Sequence, residues 1–459
     1  MANPGRSSHS KAPQGEALSP FNPHAAGIDV GAAEIFVSVP PARDPQPVRS
    51  FRSFTRDLHA IAHWLTACGV TTVAMESTSV YWIPLYEILV AAGFEVYLVN
   101  PRALKNVPGR KSDVCDCQWL QQLHSYGLLR ASFRPDEDIV ALRSVTRHRE
   151  MLITYRSAHI QHLQKILHLM NLQLDKVISD ITGTTGLQIL RAIVAGERDP
   201  AVLAQFRDPR CKQPQDVIER SLEGHYKREH LFQLQQALAL YDYYTERLAQ
   251  CDQELAYVYT TLPVQAAPET KPLPPATQRR ARPRKHEPTF DLRTHLYQLC
   301  GVDLTAIDGC QAVTIQTVLA ETGIDMRPWR TCGHFTSWLG LCPQRDVSGG
   351  KVLRSRTKKT TNRAKLALRM AAQSLHHSDS ALGAFYRRMR TRLGAPKAIV
   401  ATAHKLARII YTMLKYHKEY RDLGAEHYDA RYRERQVNHL KHKAARLGWT
   451  LVPVQTAPA

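Results

Sequence analysis

Four carboxylates, Asp29, Glu76, Asp113 and Asp116, stand where chemistry on a phosphate could be done. Asp29 lies at the end of a β-branched run, Ala26 to Val30, and Glu76 closes another, Val70 to Met75. Asp113 and Asp116 open a segment of helical pattern running through Trp119 and Leu123, and a spacing of three puts them on one helix face. Phosphoryl transfer assisted by paired divalent ions needs several hard oxygen ligands converging from different elements, and four such carboxylates would serve. Arg102, Arg110 and Lys111 precede the aspartate pair, where a bound phosphate would need counter-charge. A lone aspartate at a strand end reads as readily as a turn former or helix cap, so the set carries the expectation.

The elements that must position these acids follow from the apolar pattern. Ala26 to Val30 and Ile35 to Val39 read as a hairpin, Val70 to Met75 and Phe94 to Asn100 as two further strands, and Asp57 to Cys68 and Tyr81 to Ala92 as helices. The alternation predicts a mixed α/β sheet domain over 26–135, behind a loose polar tail at 1–25. From Ile139 to Met170 apolar residues recur at three and four, which predicts one long helix. Leu234, Tyr241, Leu248 and Leu255 repeat every seven residues in a second, Leu231 to Val258, so 136–262 reads as a coiled coil or a plain helical bundle. Polar Thr245 and Asp252 at seam positions weigh against the heptad reading.

Residues 263–289 hold seven prolines and a run containing Arg279, Arg280, Arg282, Arg284 and Lys285, a basic linker that serves as a tether or as a phosphate-contacting strap. Beyond it, 290–425 reads as mostly helical, with Ile307-Asp308-Gly309-Cys310 as a glycine-bearing turn between helices that could offer backbone N–H groups to a phosphate. Residues 426–459 read as a basic tail.

The chain carries 61 Lys and Arg against 41 Asp and Glu, a formal +20 that points to a polyanionic partner. Between Lys351 and Arg392 twelve basic residues face the single acid Asp379, which places the basic surface late in the chain. Lys351, Arg354, Arg356, Lys358, Lys359 and Arg363 are its leading candidates for nucleic-acid contact. Nine cysteines form no CxxC pair and fit a reducing cytoplasm. Cys332, His334 and Cys342 lack a fourth ligand at zinc-finger spacing. No run approaches the length needed to cross a bilayer, so a soluble, cytoplasmic, nucleoid-associated protein without a membrane partner is expected.

The segments GIDVGA, VAMESTSVYWIPLYEILVAAGFEVYLVNP, KSDVCD and LLRASFRP resemble the N-terminal domain of the DEDD transposases of bacterial insertion sequences, the IS110 family, and its DNA-invertase relatives of the Piv type. The likeness extends to VISDITGTTGLQILRAIVAGERDP and most of Leu299 to Leu375. It implies a RuvC-like (ribonuclease H-like) first domain, a Mg2+ (or Mn2+) cluster on Asp29, Glu76, Asp113 and Asp116, and a C-terminal transposase domain. The chain departs from the family at Ser77-Thr78-Ser79, at Ser112, and at Asp308 to Gln311, where a Pro-Gly-x-Gly sequence is usual.

The resemblance also matches Ser348-Gly349 to the family's Ser-Gly pair, which would make Ser348 the nucleophile of a transient phosphoserine link to DNA. Ser355, nearer the Arg354, Arg356 and Lys358 cluster, is its competitor. A further implication is an element-encoded bridge RNA pairing with donor and target DNA. Because the long helical segment and the basic linker separate Ser348 from the carboxylates, a dimer or tetramer is expected, its working site assembled from different protomers. Two alternatives stay open: a metal-dependent junction-resolving nuclease using water, and a non-catalytic nucleic-acid-binding protein.

Overall fold

Alternating β-branched residues in the first hundred positions build a five-stranded sheet in the order β3-β2-β1-β4-β5. The computed structural model describes residues 19–77, 79–100, 113–266, 272–275, 286–358 and 360–452. Strands β1 (Ala25–Val30), β2 (Glu34–Ser38) and β3 (Val48–Arg52) pair antiparallel, while β4 (Thr72–Glu76) and β5 (Glu95–Val99) run parallel to β1. This is the mixed, ribonuclease H-like sheet that the sequence predicts. Strand β3 is an addition to that expectation, because its VRSFR segment is largely polar and only pairing with β2 makes it a strand.

Helices α1 (Thr55–Ala67) and α2 (Trp82–Ala91) cover one face of the sheet, where Ile28, Val30, Val73 and Met75 join Ile61, Leu65, Leu85 and Leu89 in one core. Helix α3 (Asp113–Ser125) covers the other through Ala74, Val99 and Leu120. The period-two alternation of a strand separates these faces.

The chain divides into two compact units, 1–134 and 135–459. In the second, α4 (Glu137–Leu169) is followed by α5 (Leu174–Val177), α6 (Thr184–Ala195), α7 (Pro200–Ala204) and α8 (Gln215–Arg220), which pack with its C-terminal end and the start of α9 (Arg228–Thr261). Leu152 meets Leu248 and Cys251, while Leu163 and Leu167 share a core with Leu234 and Leu238, so α4 and α9 run antiparallel. Asp252, a misfit in the heptad reading, is satisfied: Arg149 donates to one of its oxygens and the Thr289 amide to the other, at 3.0 Å. Both partners of the ion pair are under 10% exposed, and Arg149 also donates to the His286 carbonyl.

Helices α10 (Leu292–Cys300), α11 (Ala312–Thr322), α12 (Cys332–Trp338), α13 (Arg363–Ser374), α14 (Ala381–Leu393), α15 (Ala395–Tyr416) and α16 (Gly424–Arg446) complete the unit, with one hairpin, β6 (Pro343–Ser348) and β7 (Lys351–Thr357). The hairpin and α16 go beyond what the sequence pattern predicts. Helix α16 occupies most of the segment read as a tail, since its residues are good helix formers that composition alone marks only as basic. Glu321 of α11 accepts a two-pronged bond from Arg147 at 2.9 and 2.8 Å, which ties α11 to α4. Among the described residues, no helix is long and apolar enough to cross a membrane.

Removing one partner of a buried ion pair strands the other charge, at a typical cost of about 3–5 kcal/mol. Asp252→Ala is expected to lower stability by about that much in denaturant unfolding, and a loss under about 1 kcal/mol would show that the pair does not hold this unit.

Candidate active site

Asp29 and Glu76 come level with each other because β1 and β4 are parallel neighbours with Ile28 opposite Met75, one residue earlier on each strand. Adjacent strands lie about 4.8 Å apart, so the two carboxylates leave the sheet side by side. Alternation puts both on the face that α3 covers, opposite the Ile28 and Met75 core. Each is half-buried.

Gly27 decides how closely α3 approaches. A Cβ at this position would sit 2.3 Å from the Cys117 carbonyl oxygen and 2.3 Å from the Gln121 amide, so helix and strand touch backbone to backbone. The room that a glycine leaves beside Asp29 is thus filled by α3. Its far end is pinned by His124, 1% exposed, whose Nε2 lies 2.8 Å from the Thr72 hydroxyl and whose ring packs on Tyr97 at 4.6 Å. No pattern in the sequence singles out His124.

This docking brings the first turn of α3 to Asp29. Burial pushes the Cys117 thiol up to about 12, and the neighbouring Asp29 carboxylate, then Asp116, add to the effect. Both acids therefore lie in the electrostatic neighbourhood of one buried sulfur. Asp113 opens α3, but its side chain lies outside the described residues. Among the described residues no group of three or more His, Cys, Asp or Glu side chains is gathered closely enough to hold a metal ion. The donor chemistry of Asp29, Glu76 and Asp116, all carboxylate oxygens from three elements, is nevertheless of the kind that hard divalent cations take.

Arg102, Arg110, Lys111, Arg279, Arg280 and Lys359 fall outside the described residues. The remaining basic candidates belong to the second unit. Lys351, Arg354 and Arg356 lie on β7 and are exposed, as is Lys358 just beyond it. Arg363 instead pairs with Glu150 of α4, so an internal acid already occupies its guanidinium.

Ser348 ends β6, pairs with Lys351, and is joined to it by Gly349 and Gly350 at φ +54° and +74°. Two consecutive positive φ values are the requirement of the tight two-residue hairpin loop, which is why glycine stands at both positions. Ser348 and Ser355 are both exposed, Ser348 at the hairpin tip and Ser355 within β7 opposite Arg345. Val347, Val352 and Leu353 are all more than half exposed. The root of the hairpin is held by Lys365, 6% exposed, whose amine donates to the Lys358 carbonyl at 2.9 Å. Sequence reasoning misses Lys365, for a lysine in a helix normally reads as surface.

The glycine turn near 308 serves packing: a Cβ on Gly309 would meet the Ala371 carbonyl of α13 at 2.7 Å, so that side of the turn is covered. Cys342 contacts the Thr336 hydroxyl at 3.2 Å, and all nine cysteines are free thiols.

Two family models match the chain. Residues 26–171 match DEDD_Tnp_IS110, described as a transposase, and residues 303–387 match the transposase IS116/IS110/IS902 family. No curated protein matches.

Two outcomes are expected. Burial holds the His124 imidazole below its usual 6.5, so the folded unit binds fewer protons than the unfolded chain. Its stability should be full above pH 6.5 and fall as pH drops through that range. A His124→Gln variant should flatten this slope in urea midpoints measured across the range, and an unchanged slope would assign it elsewhere. Gly27→Ala should force α3 off β1 and cost about 1–3 kcal/mol by overpacking; unfolding at the wild-type midpoint would contradict the backbone contact.

Proposed function

The chain belongs to the IS116/IS110/IS902 family of transposases, DNA-binding enzymes that cut and join DNA, and from that premise we propose that it moves its element through a serine nucleophile working with a Mg2+-binding carboxylate cluster. The observation that carries the reading is the placement of Asp29 and Glu76 level on neighbouring strands, under a helix whose first turn bears Asp116.

In this reading Asp29, Glu76, Asp113 and Asp116 hold Mg2+ (or Mn2+). When bound, the ions would supply Lewis-acid stabilisation of charge on the scissile phosphate. Ser348 attacks phosphorus through Oγ, the bond to one sugar oxygen breaks, and that oxygen takes up a proton as a hydroxyl. The phosphoserine link keeps the phosphodiester energy, so a hydroxyl of a new DNA end can reverse the step and release the serine. The match to the family's Ser-Gly pair and the place at the hairpin tip support Ser348 over Ser355, which is equally exposed but lies within β7.

Lys351, Arg354, Arg356 and Lys358 would neutralise DNA phosphates beside the serine, with Arg102, Arg110, Lys111, Arg279, Arg280 and Lys359 as further contacts. Arg363 is a weaker candidate, since its ion pair with Glu150 would have to break. The chemistry needs serine and carboxylates on one phosphate, and a dimer or tetramer meets that need with groups from different copies. The resemblance in the sequence supports guidance by an element-encoded bridge RNA, and a net charge of +20 suits RNA and DNA alike.

Asp116→Ala and Ser348→Ala, made separately, should each abolish Mg2+-dependent cleavage of an element-end duplex, and Ser348→Ala should also abolish the covalent protein–DNA adduct seen on denaturing gels. Ser355→Ala should keep both. Cleavage that survives loss of Ser348 but not of Asp116 would overturn the serine mechanism in favour of metal-activated water.

A further inference from the structure

Helix α16 lies beyond both matched segments and has no part in the chemistry above. It is rooted by aromatic and cationic side chains. Tyr428, 9% exposed, packs edge-on against Phe385 of α14 at 6.3 Å, and the Arg388 guanidinium sits 4.0 Å from the Tyr432 ring centre. The Lys405 amine of α15 sits 4.5 Å from the Phe385 ring.

The face that makes these contacts continues along the helix. From Tyr428 it runs through Tyr432, Arg435, His439, His442 and Arg446, in steps of four and three that keep to one stripe. Aromatic anchors thus give way to arginine and histidine side chains as the helix leaves α14 and α15. Between Arg433 and Arg446 every residue but Ala444 is exposed. The sequence holds no Asp or Glu from Arg435 to its end, while Lys441 and Lys443 add to the positive charge. Cations crowd the root as well: burial, then Arg388, Arg435 and Arg408, hold the Lys405 amine below its usual range, opposed by Asp422.

A helical segment this short, covered by no described residue and lined with like charges, gains little from itself. A polyanion along the stripe relieves the repulsion. A second copy of the helix laid on the same stripe would add to it. From Arg435 to Arg446 the stripe is about 16 Å long, enough to bridge the roughly 12 Å width of a DNA major groove from one strand's phosphates to the other's.

We propose that the α16 stripe, continuous with Arg388, Lys405 and Arg408, is a clamp on the sugar–phosphate backbone of duplex DNA that binds without reading sequence. It adds to the DNA contact of the reacting residues and does not depend on which nucleophile they use.

The test uses the full chain carrying Arg435→Gln, Lys443→Gln and Arg446→Gln together, with binding to a fluorescent DNA duplex followed by anisotropy over a series of salt concentrations. The log–log salt slope should become shallower by about two to three, near 0.9 for each phosphate that the protein no longer neutralises. The weakening should be alike on duplexes of unrelated sequence. Thermal unfolding should not move, and Leu440→Gln on the opposite face should leave duplex binding as it was. An unchanged slope overturns the proposal. So does a weakening confined to structured RNA or anionic-lipid vesicles, a change in oligomeric mass with duplex binding intact, or an effect of Leu440→Gln as large as that of the three cations.

Discussion

A helix can touch a strand backbone to backbone only where no Cβ stands between them, and Gly27 is that place. With the Cys117 carbonyl and the Gln121 amide both 2.3 Å from where a Cβ would be, any side chain at this position would push α3 outward. The N-terminal unit depends on this contact. It brings the first turn of α3 to the strand ends that carry Asp29 and Glu76, and it seats Leu120 against Ala74 and Val99. The buried His124 at the other end of α3 and the apolar seam between them hold the helix in this place.

The second unit solves a related problem with the opposite means. Its two long helices pack along an apolar seam that is interrupted by Arg149 and Asp252, and the interruption is made tolerable by full hydrogen bonding to His286 and Thr289. Removing two charges from water returns little net stability, but a satisfied pair fixes which residues lie opposite each other. Here it also fixes where the chain returns after the proline-rich segment. The Arg147 fork on Glu321 and the Arg363 contact with Glu150 join α4 to α11 and α13 in the same manner.

Against these well-held helices the β6–β7 hairpin is bare. A two-stranded ribbon is marginal in water by itself, and this one exposes Val347, Val352 and Leu353 as well as its basic residues. Lys365 at its root and the glycine pair at its tip are what define it. Such an element suits a role in which a nucleic acid completes its packing, in keeping with a family that handles DNA.

The sequence by itself determined the sheet-and-helix character of the first unit and the two long helices, because strand and helix periods are local properties; it offered the four acids as candidates. Motif resemblance identified the family, though Ser348 could be picked out in no other way. Tertiary structure alone decided that Gly27 seats α3, that Asp252 is paired and not a seam defect, that Arg363 is engaged internally, and that Lys365 is buried. It also turned a polar segment into β3 and a basic tail into α16. The physical reason is the same throughout: burial, close approach and ion pairing join residues tens to hundreds of positions apart, and a lone lysine, glycine or aspartate looks alike in sequence whether or not its partner exists.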